Sequence, residues 1–191
     1  MIPRLVIASK NPDKISEIEE ILETIGLTDE IVRDLDWDDV EEIGSTLEEN
    51  ALLKARAVVD ATGLPVVADD TGLEVKALAG APGVHTARFA GEGAHYEDNV
   101  AKMIEVMAGQ IDRSARFRTV VALVLPDGVE IVAEGMVEGT IAEAPRGMRG
   151  FGYDPVFEVE GKTLAEMSAA EKNLLSHRAR ALAALAESLG L

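Results

Sequence analysis

Cysteine is absent from this sequence, which excludes disulfides and thiolate metal sites. Positive charge is short, with 18 Lys and Arg against 35 Asp and Glu and a formal net charge of −17. General binding to nucleic acid or to an anionic membrane needs a basic footprint and is excluded on that ground. An anionic small molecule would have to be held by a few locally concentrated cations. Aromatic residues make up only 4% of the chain, so two placed close together draw notice. No stretch approaches the ~20 apolar residues of a membrane span, and the run RLVIA at residues 4–8 is far too short for the apolar part of a signal peptide. The expectation is a soluble cytoplasmic protein, whose acidity fits either a high-salt cytoplasm or simple solubility.

What is present is enough for a substantial core: 191 residues, 47% of them hydrophobic. That length suits one domain or two intimate lobes. With no internal repeat, low-complexity tract or linker, residues 1–191 read as a single domain.

Hydrophobic periodicity orders the elements. Residues 4–8 read as a buried strand that breaks at Ser9-Lys10-Asn11 and feeds a helix over 12–25, with Asn11 as cap, Pro12 at the first helical position and Gly26 as stop. A short strand over 31–35 precedes an acidic loop over 36–44. Thr46 and Glu49 form a capping-box pattern that opens a helix to residue 61. A strand follows over 65–69, then a glycine- and alanine-rich ordered loop over 80–93 and a third amphipathic helix over 96–107. Strands over 116–125 and 129–137 are joined by Pro126-Asp127-Gly128, a good hairpin turn. After a strand over 155–159, Ser168 and Glu171 form a second capping box that starts one closing helix to Leu189. This mixture argues for an α/β fold with a mixed sheet.

The stretch LPVVADDTGLEV over 64–75 sends an apolar strand into two adjacent carboxylates. Strand alternation points Asp69 and Asp70 to opposite faces, and burying an ionised carboxylate costs several kcal/mol unless it is paired. A surface turn is one explanation, since Asp-Thr-Gly is good turn chemistry. A metal ligand and general base at a strand end is the other. Glu41-Glu42-Ile43-Gly44 adds a second acidic segment. Mg²⁺ takes one or two carboxylates plus phosphates and waters; solvated acidic loops are the alternative.

Three further stretches carry chemistry. Ser9-Lys10-Asn11-Pro12-Asp13-Lys14 lies where a strand turns into a helix, so backbone N–H groups and the positive helix end converge there. Lys14 can add a point charge to a phosphate, although without the glycines of a Walker loop an ordinary cap with a surface lysine is the alternative. Phe151-Gly152-Tyr153-Asp154-Pro155 sets two aromatics around a glycine, and stacking on a base is worth about 1–3 kcal/mol; core aromatics beside a tight turn are the alternative. In EKNLLSHR at 171–178, Lys172, His177 and Arg178 are spread over about one and a half helical turns. A shared ligand would lie across the end of that helix, and a solvated basic patch is the alternative.

Taken in order, SKNPDK, EEIGSTLEENALLKA, ADDTGLEV, GAPGVHTARFAG, GFGYDP and EKNLLSHR run essentially end to end. A chain with all six resembles the inosine triphosphate pyrophosphatase family, which hydrolyses non-standard purine nucleoside triphosphates such as ITP, dITP and XTP. The resemblance implies a two-lobed α/β protein with a long central mixed sheet flanked by helices and a deep substrate cleft between the lobes. It implies a homodimer, and Mg²⁺-dependent hydrolysis between the α and β phosphates to give nucleoside monophosphate and pyrophosphate. By the same resemblance Ser9, Lys10, Asn11, Pro12, Asp13 and Lys14 grip the triphosphate, with Lys54 assisting. Glu41 and Asp70 hold the metal, and Asp70 accepts the proton of the attacking water. Thr71, Phe151, Gly152, Tyr153, Asp154, Lys172, His177 and Arg178 contact the nucleotide.

Asp69, on the other strand face, reads as structural. The chain departs from the family pattern at Ser9, where threonine is common, at Lys10, where glycine is common, and at His85, where tyrosine is frequent. The first two changes keep the chemistry; the third bears on the base pocket or dimer contact. A donor such as Arg178 facing the 6-oxo group of the base would reject adenine, and guanine's 2-amino group would meet another donor or no partner. The competing readings are a Maf-type pyrophosphatase of other specificity, a non-catalytic nucleotide sensor and an acidic scaffold for protein partners.

Overall fold

A computed structural model describes residues 1–191. The chain forms β1 (Leu5–Ile7), α1 (Pro12–Ile25), β2 (Ile31–Val32), α2 (Leu47–Thr62), β3 (Val66–Val75), β4 (Pro82–Gly83), α3 (Tyr96–Val106), β5 (Ser114–Val124), β6 (Glu130–Ile141), β7 (Phe157–Val159), β8 (Lys162–Thr163), α4 (Ala169–Leu175) and α5 (His177–Ser188). The strands form one open sheet in the order β2-β1-β3-β5-β6-β7-β8, with β4 alongside β3. β1 runs parallel to both β2 and β3, whereas β3–β4, β6–β7 and β7–β8 are antiparallel. The expected α/β class with a mixed sheet is therefore what the chain adopts. No helix is long and apolar enough to cross a membrane.

The chain folds into two compact units. The first comprises Met1–Asp70, Thr119–Gly135 and His177–Leu191. Its core joins Ile18, Ile21 and Leu22 of α1, Leu182 and Leu185 of α5, and Val67, Val121 and Leu123 of the sheet. The second comprises Thr71–Arg118 and Met136–Ser176. There Met103 and Met107 pack with Leu73, Val75, Phe117 and Phe157, the two phenylalanine rings lying 4.6 Å apart between centroids. β3, β5 and β6 each contribute residues to both units.

Local chemistry explains the boundaries. Asn11 ends the segment after β1 and caps α1, its side chain accepting from the N–H groups of Asp13 and Lys14. Gly26, at φ 64°, closes the helix in the left-handed conformation that glycine adopts without strain. Thr46 caps α2 by accepting from Glu49 N–H, but the Glu49 carboxylate accepts from Ser45 N–H and Oγ, one residue earlier than the expected box.

Two expectations are corrected. β3 does not stop at Asp69; it continues through Asp70, Thr71 and Gly72 to Val75, so both aspartates lie within a strand. The Asp-Thr-Gly turn does not form because this segment stays in the sheet, where β4 pairs with it at Leu73 and Glu74. The closing helix is likewise interrupted: Ser176 is extended at ψ 142° between α4 and α5, a residue type that favours the start of a helix. That break changes the helical phase, so Leu174 is 83% exposed while Leu182 and Leu185 are buried. At the start of α5 the helix lies directly on β6, because any Cβ on Gly135 would collide with the backbone of His177 and Ala181.

Candidate active site

In the first unit the site grows from the two faces of β3. Val67 and Asp69 share one face and Ala68 and Asp70 the other. All four are buried. Asp69, 2% exposed, meets cations from two helices. Arg178 of α5 donates to its Oδ2 through Nε at 3.1 Å and Nη2 at 3.0 Å. Lys14 of α1 lies at 3.3 Å from the same oxygen. The third nitrogen of Arg178 donates to Glu17 Oε2 at 2.6 Å, and Lys14 and Glu17 are one helical turn apart on α1. Burial alone would raise the Asp69 proton affinity, but Lys14, Arg178 and Lys54 overcome it and hold the carboxyl far below the usual range.

Asp70 has the opposite character. Burial pushes its carboxyl up, Lys54 opposes this, and the like charge of Glu42 adds to it. Lys54 Nζ is 3.5 Å from Asp70 Oδ1 and donates to Glu42 Oε1 at 2.6 Å. For Lys54, burial favours the neutral amine, yet Asp70, Asp69 and Glu42 together raise its affinity for the proton. On the Asp69 side, burial pushes the Lys14 ammonium below its ordinary range, with Asp69 opposing only in part. Asn50 completes the Asp70 environment by donating from Nδ2 to Oδ2 at 3.2 Å.

The oxygen donors here suit a hard divalent cation. Asp70 and Glu42 share one ammonium group, and Glu41 stands exposed on the same loop. No group of three acidic or imidazole side chains gathers into a cage, and Mg²⁺ needs none, because it draws its remaining ligands from phosphate and water.

The segment expected to take phosphate makes several contacts of its own within the chain. Asn11 itself takes the Asp13 and Lys14 N–H groups, at 3.0 and 3.3 Å, and Ser9 Oγ accepts from Asn11 N–H. Lys10 reaches the acidic loop, donating to Asp39 at 2.6 Å. Pro12 and Asp13 are exposed. Lys14 is the member of this segment that joins the buried carboxylates. His177 is buried with Nδ1 2.6 Å from Thr119 Oγ1. Arg178 is 2% exposed and donates to both Asp69 and Glu17.

The second unit carries its own cluster. Asp154 accepts from Phe151 N–H at 2.9 Å and from Lys172 Nζ at 2.8 Å. Lys172 also lies 4.8 Å from the centre of the Phe151 ring, a cation–π contact, and Tyr96 flanks that ring at 5.9 Å between centroids. A side chain on Gly150 would collide with the Asp154 carboxylate. The two aromatics divide their roles: Phe151 is half-buried, whereas Tyr153 is 3% exposed in the core and donates to Thr86 O. Thr71 is half-buried and follows Asp70 on β3.

Asn50, Glu17, Thr119 and Tyr96 belong to these clusters without having been singled out in the sequence. Asn50 and Lys54, four apart, were recoverable as one face of α2. Thr119, in the apolar run of β5, gives no such signal.

The sequence profile of the Ham1 family matches residues 5–188. The chain belongs to the Ham1 family. Among its relatives, the dITP/XTP pyrophosphatase of Symbiobacterium thermophilum is 51% identical over 97% of this chain and 94% of its own. The dITP/XTP pyrophosphatase of Streptomyces coelicolor is 47% identical over 95% and 94%. Among solved structures, the Ham1 protein of Staphylococcus aureus superposes with a TM-score of 0.85 at 41% identity, covering 98% of both chains. The nucleoside-triphosphatase (dITP/XTP pyrophosphatase) of Mycobacterium abscessus gives 0.76 at 42% identity, covering 97% and 99%. These Ham1 structures share the mixed α/β architecture described above.

Proposed function

We infer that this chain is a nucleoside-triphosphate pyrophosphatase that hydrolyses ITP, dITP and XTP to the nucleoside monophosphate and pyrophosphate. The observation that carries this reading is the near full-length identity of 44–51% to relatives named dITP/XTP pyrophosphatase. The buried pairing of Asp69 and Asp70 with Lys14 and Lys54 supplies a chemistry that fits it.

In this reading Asp70 orients and deprotonates the attacking water, a task suited to a carboxylate whose proton affinity burial has raised. Asp70 with the Glu41–Glu42 pair would hold Mg²⁺, which when bound neutralises phosphate charge and polarises the phosphoryl group. Lys14 and Lys54 face the transferred charge as fixed cations, the main protein contribution expected in phosphoryl transfer. Ser9 to Asn11 and the start of α1 take the triphosphate, and Lys10 exchanges Asp39 for phosphate. Thr71 and His177 border the nucleotide, while Arg178 acts through Asp69. Phe151 offers its ring to the base, with Gly152, Asp154 and Lys172 shaping that contact and Tyr153 anchoring the turn from the core. Rejection of guanine and adenine then falls to backbone or side-chain donors that leave the wrong base with unpaired polar groups. The reading also includes a homodimer, which the family resemblance implies, and a cytoplasmic setting.

The test is product analysis on ITP, XTP, dITP, GTP and ATP, with and without Mg²⁺, scoring pyrophosphate separately from orthophosphate. Pyrophosphate from the first three alone, and only with metal, is the expected result. Equal turnover of GTP and ITP would refute the rejection of guanine. Orthophosphate would mean attack at a different phosphorus, turnover of other nucleotides would favour a Maf-type specificity, and tight ITP binding without turnover would identify a sensor.

A further inference from the structure

We propose that Asn50 is a positioning residue for Asp70, fixing the orientation of that carboxylate and fastening it to the backbone of the acidic loop at Gly44. The inference rests on the reading of Asp70 as the group that prepares the attacking water. Asn50 is 1% exposed on α2, one helical turn before Lys54. Its Oδ1 accepts from Gly44 N–H at 2.8 Å and its Nδ2 donates to Asp70 Oδ2 at 3.2 Å. The amide can face only one way, since Gly44 N–H must meet an acceptor and the ionised carboxylate must meet a donor.

One face of α2 therefore addresses both oxygens of Asp70: Asn50 holds Oδ2, and Lys54 stands 3.5 Å from Oδ1. Rotating the carboxylate about its last bond would break the Asn50 contact, so the lone pair offered to a water is set before substrate arrives. The loop side of the link depends on glycine. A Cβ at Gly44 would lie 2.5 Å from Asn50 Oδ1 and 2.7 Å from Glu49 Cβ, so any other residue would push the amide away from the loop. An asparagine that merely tied down the loop would need the Gly44 bond alone; the donor aimed at Asp70 is what indicates a role in the reaction.

The test is a double-mutant cycle read by steady-state pyrophosphate release from ITP. Four proteins are compared: the unmutated chain, Asn50→Ala, Asp70→Asn and the double variant. Asn50→Ala is expected to lower kcat about 10- to 100-fold, the usual effect of removing a partner that orients a reacting ligand. Its KM is expected to move less than about threefold. In the Asp70→Asn background the same change is expected to add almost nothing, because an amide that works through Asp70 has nothing left to orient. An equal loss in both backgrounds, or a loss confined to KM, overturns the proposal. If Asn50→Ala does not fold by thermal melting, Asn50→Asp takes its place, since it keeps the size and the Gly44 acceptor and puts a carboxylate oxygen where the donor to Asp70 stood. A folded Asn50→Asp protein with undiminished kcat overturns the proposal as well. Absence of ITP turnover by the unmutated chain refutes the functional reading itself, a failure distinct from an undiminished Asn50 variant.

Discussion

Asp69 and Asp70 are consecutive residues of one strand, and their surroundings push their proton affinities in opposite directions. Asp69 is locked to Arg178 and Lys14 and stays ionised far into acid. Asp70, on the other face, shares Lys54 with Glu42 and has its carboxyl raised by burial. A pair of titratable groups separated in this way assigns its own roles: the raised one can take up a proton, and the lowered one holds its neighbours in place.

Asp70→Asn should lower turnover on ITP by about 10²-fold or more, the size expected for loss of a general base. The melting temperature should stay near that of the unmutated chain. Pyrophosphate release and a thermal melt check both, and unchanged turnover would remove Asp70 from the reaction.

Asp69→Asn should instead act on stability. It leaves Arg178 and Lys14 buried without their main carboxylate, a loss of about 3–5 kcal/mol for a broken buried ion pair. The pH dependence has a definite sign. Because folding lowers the Asp69 proton affinity, its contribution is complete above the ordinary aspartate value of about 3.9 and disappears as pH falls toward the lower folded value. Urea unfolding of both proteins should show a wide gap at pH 7 and a narrower one at pH 3; a constant gap would mean that the charge of Asp69 is not what stabilises the fold.

Lys54→Met removes the cation shared by Asp70 and Glu42 while keeping most of the apolar stem. Charge-assisted contacts of this kind are worth about 1.5–3 kcal/mol, so kcat/KM for XTP should fall roughly 10- to 150-fold. Initial-rate kinetics give the answer, and a change under twofold would assign Lys54 to structure alone.

Phe151→Ala should raise KM for ITP roughly 5- to 150-fold, from the loss of roughly 1–3 kcal/mol of stacking, whereas Phe151→Trp should retain most of the affinity. If the alanine and tryptophan variants bind alike, the ring does not meet the base.

Most of the frame was legible in the sequence because its signals are local. Asn11-Pro12 and Gly26 bound α1 as expected, and Pro126-Asp127-Gly128 makes the hairpin, with Leu125 N–H bonded to Val129 O. The failures were tertiary. Asp-Thr-Gly reads as a turn locally, but pairing with β4 keeps it in a strand. EKNLLSHR reads as one helix, but Ser176 divides it. The same limit applied to the site: Lys14, Lys54 and Asp70 could be named from their motifs. That Arg178 serves Asp69, that Glu42 is the loop glutamate paired with Lys54, and that Asn50 faces Asp70 depend on contacts between distant segments.

Gly135 lies far along the chain from Asp69, yet the hydrogen bonds that hold Asp69 depend on it. With no side chain there, α5 can seat its first turn directly against β6, and Arg178 rides on that turn. A missense change at Gly135 would lift the helix and withdraw the guanidinium from its carboxylate. A genetic screen would then score an inactivating allele at a residue that has no side chain to offer a nucleotide. The protein's vulnerability to mutation is therefore distributed along its backbone packing, well beyond the groups that do the chemistry.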